Sequence, residues 1–175
     1  MSDRTTLMRG HPFPLTGPEL HVGDPAPGFW MKQRGTDGLR DVTLDEYAGK
    51  TVILSVIYSL ETPICETQTK RFNEEAGKLP GVDIITVSMD LPFAQKRWCG
   101  AFGVDHVKML SDHRDGSFGT GFGTLIKELR IESRAIFVVG PDNRILHAEY
   151  VREVADFPNY EAALAAAGGA GAAKA

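Results

Sequence analysis

Two runs, TVILSVIY (residues 51–58) and VDIITVS (residues 82–88), are apolar at most positions and rich in β-branched side chains. A strand with one face in water alternates apolar and polar residues, whereas a strand covered on both faces reads as a continuous run. Between them lies CETQTKRFNEEAGKL (residues 65–79), in which Cys65, Thr69, Phe72, Ala76 and Leu79 recur at helical spacing. Strand, helix, strand at this separation is a crossover between parallel neighbours, which commits the chain to a layered α/β fold.

The remaining segments extend that pattern. PFAQKRWCGAF (92–102) opens with Pro92 at a first helical position and reads as a second crossover helix. HVKML (106–110) is the weakest strand candidate. Residues 135–139 and 144–150 form an antiparallel pair around GPDN, whose residues suit a tight turn. NYEAALAAA (159–167) is the last helix, with Asn159 as its cap. Eight prolines and glycines between Pro12 and Gly28 restrict the opening region to short strands and turns. The expected architecture is a mixed central sheet with helices on both faces and an N-terminal strand or hairpin extension. A single domain spans 1–167, and the small-residue stretch 168–175 is expected as a flexible tail. DGSFGTGFGTL (115–125) has no lysine where a phosphate-binding loop needs one and reads as a mobile loop near the site.

At 175 residues and 42% hydrophobic composition, the chain can bury a sizeable core as one domain. A net charge of -4 without any dense Lys/Arg run gives no electrostatic footprint for nucleic acid or an anionic membrane. MSDRTTLMRG lacks the apolar core of a signal peptide, so a cytoplasmic location is expected. There, two cysteines are not expected to form a permanent structural bridge.

Cys65 lies three residues after Thr62, a good N-cap, and two after Pro63, which is pre-organised for a first helical turn. The partial positive charge at a helix N-terminus favours an anion, and the thiolate is the nucleophilic form of cysteine. The competing reading is packing, because Cys65 shares a helical face with Thr69 and Phe72. Its position after a buried strand, where open α/β sheets present ligands, shifts the balance toward chemistry. Glu66 and Lys70 form an ordinary surface pair. His106, Asp112, His113 and Asp115 fit no zinc spacing, and no metal is expected.

SLETPICETQTKRFNEEA resembles the active-site segment of peroxiredoxins, and DLPFAQKRWCGAFG resembles the second-cysteine segment of their bacterial thiol peroxidase branch. The resemblance runs in outline from GHPFPLTG to PNYEAALAAA. It implies a thioredoxin-like fold and a thiol peroxidase that needs no cofactor. Cys65 would attack hydrogen peroxide or an organic hydroperoxide and become a sulfenic acid. Thr62 and Arg134, the arginine of ESRAIFVV, would activate it; the residues alone do not choose between Arg134 and Arg130. Cys99 would resolve the sulfenic acid as an intramolecular Cys65–Cys99 disulfide, reduced by thioredoxin or a similar dithiol. The family pattern also implies a homodimer.

A disulfide brings its Cα atoms within roughly 7 Å, so one or both helices would unwind locally, with Gly100 easing the change. Gly100 otherwise marks tight packing or a helix end, and Trp98 reads as a core anchor. The pattern departs at Tyr58, where the family usually carries proline seven positions before the attacking cysteine. The alternative is therefore a redox sensor or regulatory binding protein with weakened peroxidase activity. A protein-disulfide oxidoreductase is disfavoured by the lack of a CxxC pair.

Overall fold

Proline and glycine punctuation keeps the start of the chain to short elements, as expected. The computed structural model describes residues 3–172. β1 (Thr5–Met8) and β2 (His11–Pro14) form an antiparallel hairpin. A second antiparallel pair follows, β3 (Trp30–Arg34) and β4 (Leu39–Thr43). Then come β5 (Thr51–Val56), α1 (Pro63–Ala76), β6 (Val82–Ser88), α2 (Pro92–Phe102) and β7 (Lys108–Ser111). α3 (Ser117–Phe122) leads into the two-residue strands β8 (Leu125–Ile126) and β9 (Ile131–Glu132). The chain continues through β10 (Ala135–Val139), β11 (Ile145–Tyr150) and α4 (Tyr160–Ala172).

Seven strands form the central sheet in the order β11-β10-β5-β6-β7-β3-β4. β5, β6 and β7 are parallel, so the weak HVKML candidate is the third strand of that set, while β10 and β3 flank it antiparallel. The β10–β11 turn places Asn143 at φ 60°, a conformation asparagine tolerates. The resulting α/β architecture is the mixed thioredoxin-like sheet that the sequence predicts.

Alternation along the strands sorts side chains between two cores. Val52, Leu54, Val56, Ile85, Val87, Phe137 and Val139 face one side. Ile53, Ile57, Ile84, Ile136 and Val138 face the other, with Phe72 of α1, Trp98 of α2 and Ala163 and Ala167 of α4. Three of the four α-helices among the described residues thus share one face. The opposite face is covered by α3 together with Leu20, Phe29, Leu44 and Tyr47.

Three expectations are corrected. Residues 115–125 are no mobile loop near the site, because they contain α3. Phe118 and Phe122 lie four residues apart and are fully buried, with rings stacked 4.3 Å apart. Burying each phenylalanine contributes about 1.5–3 kcal/mol, more than the roughly 1 kcal/mol that each of Gly119 and Gly121 costs a helix. Helix α1 ends at Ala76 instead of reaching residue 79, with Gly77 as its C-cap. α4 continues to Ala172, so residues 168–172 of the expected tail are helical, while 173–175 lie outside the described residues.

The N-terminal hairpin has a positional role. Leu7 N–H donates to the Arg152 carbonyl at 2.7 Å, and Val154 N–H donates to the Leu7 carbonyl at 2.9 Å. The hairpin thereby fixes residues 152–154 beside the first residue before β10.

Candidate active site around Cys65

Thr62 is the N-cap of α1 and Pro63 its first helical residue, which places Cys65 in the first turn at the carboxyl end of β5. Its side chain is fully buried among Ile53, Ile57, Phe72 and Trp98, and its thiol is free. The packing reading and the chemical reading of Cys65 therefore both describe the same atom.

Arg134, immediately before β10, is also 0% exposed. Its Nη2 donates to Cys65 Sγ at 3.4 Å, its Nη1 to Gln68 Oε1 at 2.6 Å and its Nε to the Val154 carbonyl at 2.8 Å. The guanidinium stacks 5.4 Å from the centre of the Tyr58 ring. Among the described residues no carboxylate pairs with it. A buried charge is retained only where something compensates it, and here the sulfur is the group able to carry the opposite charge. Arg130, the competing arginine, instead reaches the His113 carbonyl at 2.8 Å on another part of the molecule.

Gln68 is a site residue that the sequence reading misses. It lies one turn after Cys65 and is fully buried, and its Nε2 donates to Ser55 Oγ at 2.8 Å while its Oε1 accepts from Arg134. The available signal was a polar residue at i+3 from the cysteine, on the side of the helix that packs on the sheet. Asp90 also escapes the sequence reading. Its carboxylate accepts from Ser59 Oγ at 2.9 Å and Leu60 N–H at 2.8 Å, so it holds the loop leading to Thr62 against the start of α2.

Thr62 does not point its hydroxyl at the sulfur; Oγ1 donates to the Ser59 carbonyl at 2.9 Å. Cys99 is brought to the same core cluster, half-buried in the last turn of α2. Burial pushes the Cys99 thiol up from its ordinary value, against a smaller opposing effect of Lys96. Trp98 is the core anchor expected, with its ring 4.7 Å from that of Phe102. Gly100 is no tight contact, because nothing lies within 4 Å of the place a Cβ would occupy.

The histidine and aspartate cluster separates. Asp112 accepts from the N–H groups of Phe118 and Gly119, and His113 Nδ1 lies 2.9 Å from Ser111 Oγ. Among the described residues no group of three or more such side chains is arranged to hold a metal. No helix among them is long and apolar enough to cross a membrane.

A buried thiol at the N-terminus of the first crossover helix, facing an arginine that precedes the neighbouring strand β10 of a thioredoxin-like sheet, defines a thiol-redox protein. Residues 21–164 match the Redoxin family, and the chain belongs to it. It is 50% identical to a thiol peroxidase of Bacillus subtilis over 159 residues, covering 91% of this chain and 93% of that one. It is 48% identical to a thiol peroxidase of Listeria innocua over 90% of this chain and 93% of that one. A solved peroxiredoxin-like protein from Aquifex aeolicus superposes with a TM-score of 0.85 at 36% identity, covering 93% of this chain and 94% of that one. A thiol peroxidase from Chromobacterium violaceum, 20% identical, shares the fold with a TM-score of 0.81 over 92% of this chain and 93% of that one.

Proposed function

We propose that the chain is a thiol-dependent peroxidase in which Cys65 attacks the O–O bond of hydrogen peroxide or an organic hydroperoxide. The observation that carries this reading is the fully buried Arg134, whose guanidinium donates to Cys65 Sγ and has no carboxylate partner among the described residues. It is the fixed countercharge that a thiolate needs, and it stays in place as negative charge passes to the departing oxygen.

Attack transfers one oxygen to sulfur and releases water or an alcohol, leaving Cys65 as a sulfenic acid. The thiolate of Cys99 then attacks that sulfur, water leaves, and a Cys65–Cys99 disulfide forms. A dithiol such as thioredoxin returns both thiols by exchange and is itself oxidised to a disulfide. Burial raises the Cys99 thiol above its ordinary value, which favours its protonated form while α2 is closed. With Cys65 fully buried, peroxide reaches it when the loop of residues 58–62 shifts, and the same shift frees the Thr62 hydroxyl from Ser59 to meet a peroxide oxygen. A cytoplasmic homodimer is the setting that fits this reading. The relatives favour catalysis over a sensor role.

The test is NADPH oxidation coupled through thioredoxin and its reductase, with hydrogen peroxide or an alkyl hydroperoxide. Peroxide-dependent turnover that Cys65→Ser abolishes is expected, and non-reduced peptide mass spectrometry should join Cys65 to Cys99 within one chain. No turnover in the wild type overturns the enzyme reading, and turnover surviving in Cys65→Ser overturns the site.

A further inference from the structure

Glu132 ends β9, two residues before Arg134, and is completely buried. Its Oε2 accepts from Thr124 Oγ1 at 2.5 Å, while Oε1 has no donor partner among the described residues. The group it faces is another buried carboxylate, that of Asp112. No space separates the acid from α3, since a Cβ on Gly119 would stand 2.5 Å from Glu132 Oε1.

Two enclosed carboxylates cannot both be charged without a compensating cation, and a shared proton turns their repulsion into a hydrogen bond. The N–H groups of Phe118 (3.1 Å) and Gly119 (2.8 Å) both point at Asp112, which makes Asp112 the anion and leaves the proton on Glu132. The other charged groups around the pair are few. Asp115, from the segment before α3, adds negative charge, and Arg130, from the turn between β8 and β9, adds positive charge while its Nη2 is bonded to the His113 carbonyl. α3 itself has no ionisable side chain. The same Thr124 that meets Glu132 also accepts Ser133 N–H at 2.7 Å, so side chain and backbone together tether residues 132 and 133, and Arg134 follows directly.

We propose that Glu132 is a positioning residue for the peroxidase site: as a neutral acid it bonds Asp112 and Thr124 and fixes the segment that presents Arg134 to Cys65, and its ionisation releases that segment. The consequence for activity rests on the reading of Cys65 and Arg134 given above; the proton-holding role does not. Burial, then the Asp112 charge, push Glu132 up to about 8, so the tether is intact at neutral pH and weakens in mild alkali. The sign follows from the direction: an acid raised by folding adds stability that is complete below its unfolded value, near 4.5, and lost as pH rises through 8.

The test uses the full reduced chain. Infrared spectra at neutral pH should show a protonated-carboxyl C=O band that Glu132→Gln removes. Hydrogen exchange at residues 133–136, corrected for intrinsic rates, should rise about tenfold between roughly pH 7 and 9.5 in the wild type and stay flat in Glu132→Gln, whose carboxamide can donate to Asp112 and accept from Thr124. The ratio of variant to wild-type peroxide rate constants, from tryptophan fluorescence, should climb over the same range. Parallel exchange profiles, or a band that survives Glu132→Gln, overturn the proposal. Asp112→Asn gives a second check in which the wild-type transition should move to lower pH, and an unmoved midpoint overturns it. Absent peroxide consumption at every pH would sink the peroxidase reading, while infrared and exchange still decide the proton.

Discussion

The two thiols occupy opposite kinds of helix end. Cys65 sits in the first turn of α1, sealed from solvent, with its helix and its arginine locked to Ser55, Gln68 and Val154. Cys99 sits in the last turn of α2, half-buried, and its carbonyl closes the helix by accepting from Gly103 and Val104 N–H. Gly103 ends the helix at φ 64°, and Gly100 leaves open space beside the thiol. Opening the end of α2 breaks neutral hydrogen bonds worth about 1 kcal/mol each, whereas displacing Cys65 disrupts charge-assisted bonds worth about 1.5–3 kcal/mol each. In the proposed mechanism, the motion needed for a disulfide then falls to the Cys99 side, with a fixed nucleophile met by a mobile resolver.

The contrast breaks most severely at Arg134. Arg134→Lys keeps the charge but cannot reach sulfur, Gln68 and the Val154 carbonyl from one planar group. Losing two such bonds predicts a fall of about 100-fold in the rate of Cys65 oxidation, near 3 kcal/mol. Stopped-flow tryptophan fluorescence against peroxide concentration measures it, and a fall below threefold would show that Arg134 is not preorganising the sulfur. Gln68→Ala removes one of those bonds and predicts a decrease of about tenfold in the same measurement, with the rate of disulfide closure unchanged.

Why Gln68 had to be seen in the structure while Cys65 did not is a matter of which signals burial leaves in a sequence. β5, β6 and β10 are legible because strands covered on both faces carry apolar residues on both. The first turn of α1 is legible because Thr62 and Pro63 are local helix-start signals. A buried glutamine, a buried acid such as Glu132 or a half-buried one such as Asp90 has the same letter as a surface one, and its partners come from other segments of the chain. α3 is hidden for another reason, since its glycines mask the spacing of Phe118 and Phe122. The direction of the Thr62 hydroxyl depends on where the loop places the Ser59 carbonyl.

Tyr58 sharpens the comparison from the solvent side. It stands where the resemblance puts proline, yet the structure gives its ring a task, covering the Arg134 guanidinium at 5.4 Å. A cation–π contact in a partly desolvated place is worth about 1 kcal/mol, so Tyr58→Leu should slow peroxide oxidation of Cys65 about fivefold. Its hydroxyl has no hydrogen-bond partner among the described residues, so Tyr58→Phe should match the wild type. A Phe variant as slow as Leu would move the role from the ring face to the hydroxyl.

The smallest expected effect tests the mobile side alone. Gly100→Ala adds a methyl group where nothing lies within 4 Å and removes the entropic penalty of glycine in the last turn of α2. The helix should gain about 0.5–1 kcal/mol, raising the melting temperature by about 1–3 °C. The first step, oxidation of Cys65, does not require the last turn of α2 to open and should keep its rate. Closure of the disulfide must open the stabilised turn, so it should slow by about two- to fivefold, the kinetic equivalent of that gain. Double-mixing stopped-flow separates the two phases. An Ala variant that is more stable yet closes at the wild-type rate would show that α2 stays wound and would move the rearrangement to the Cys65 end.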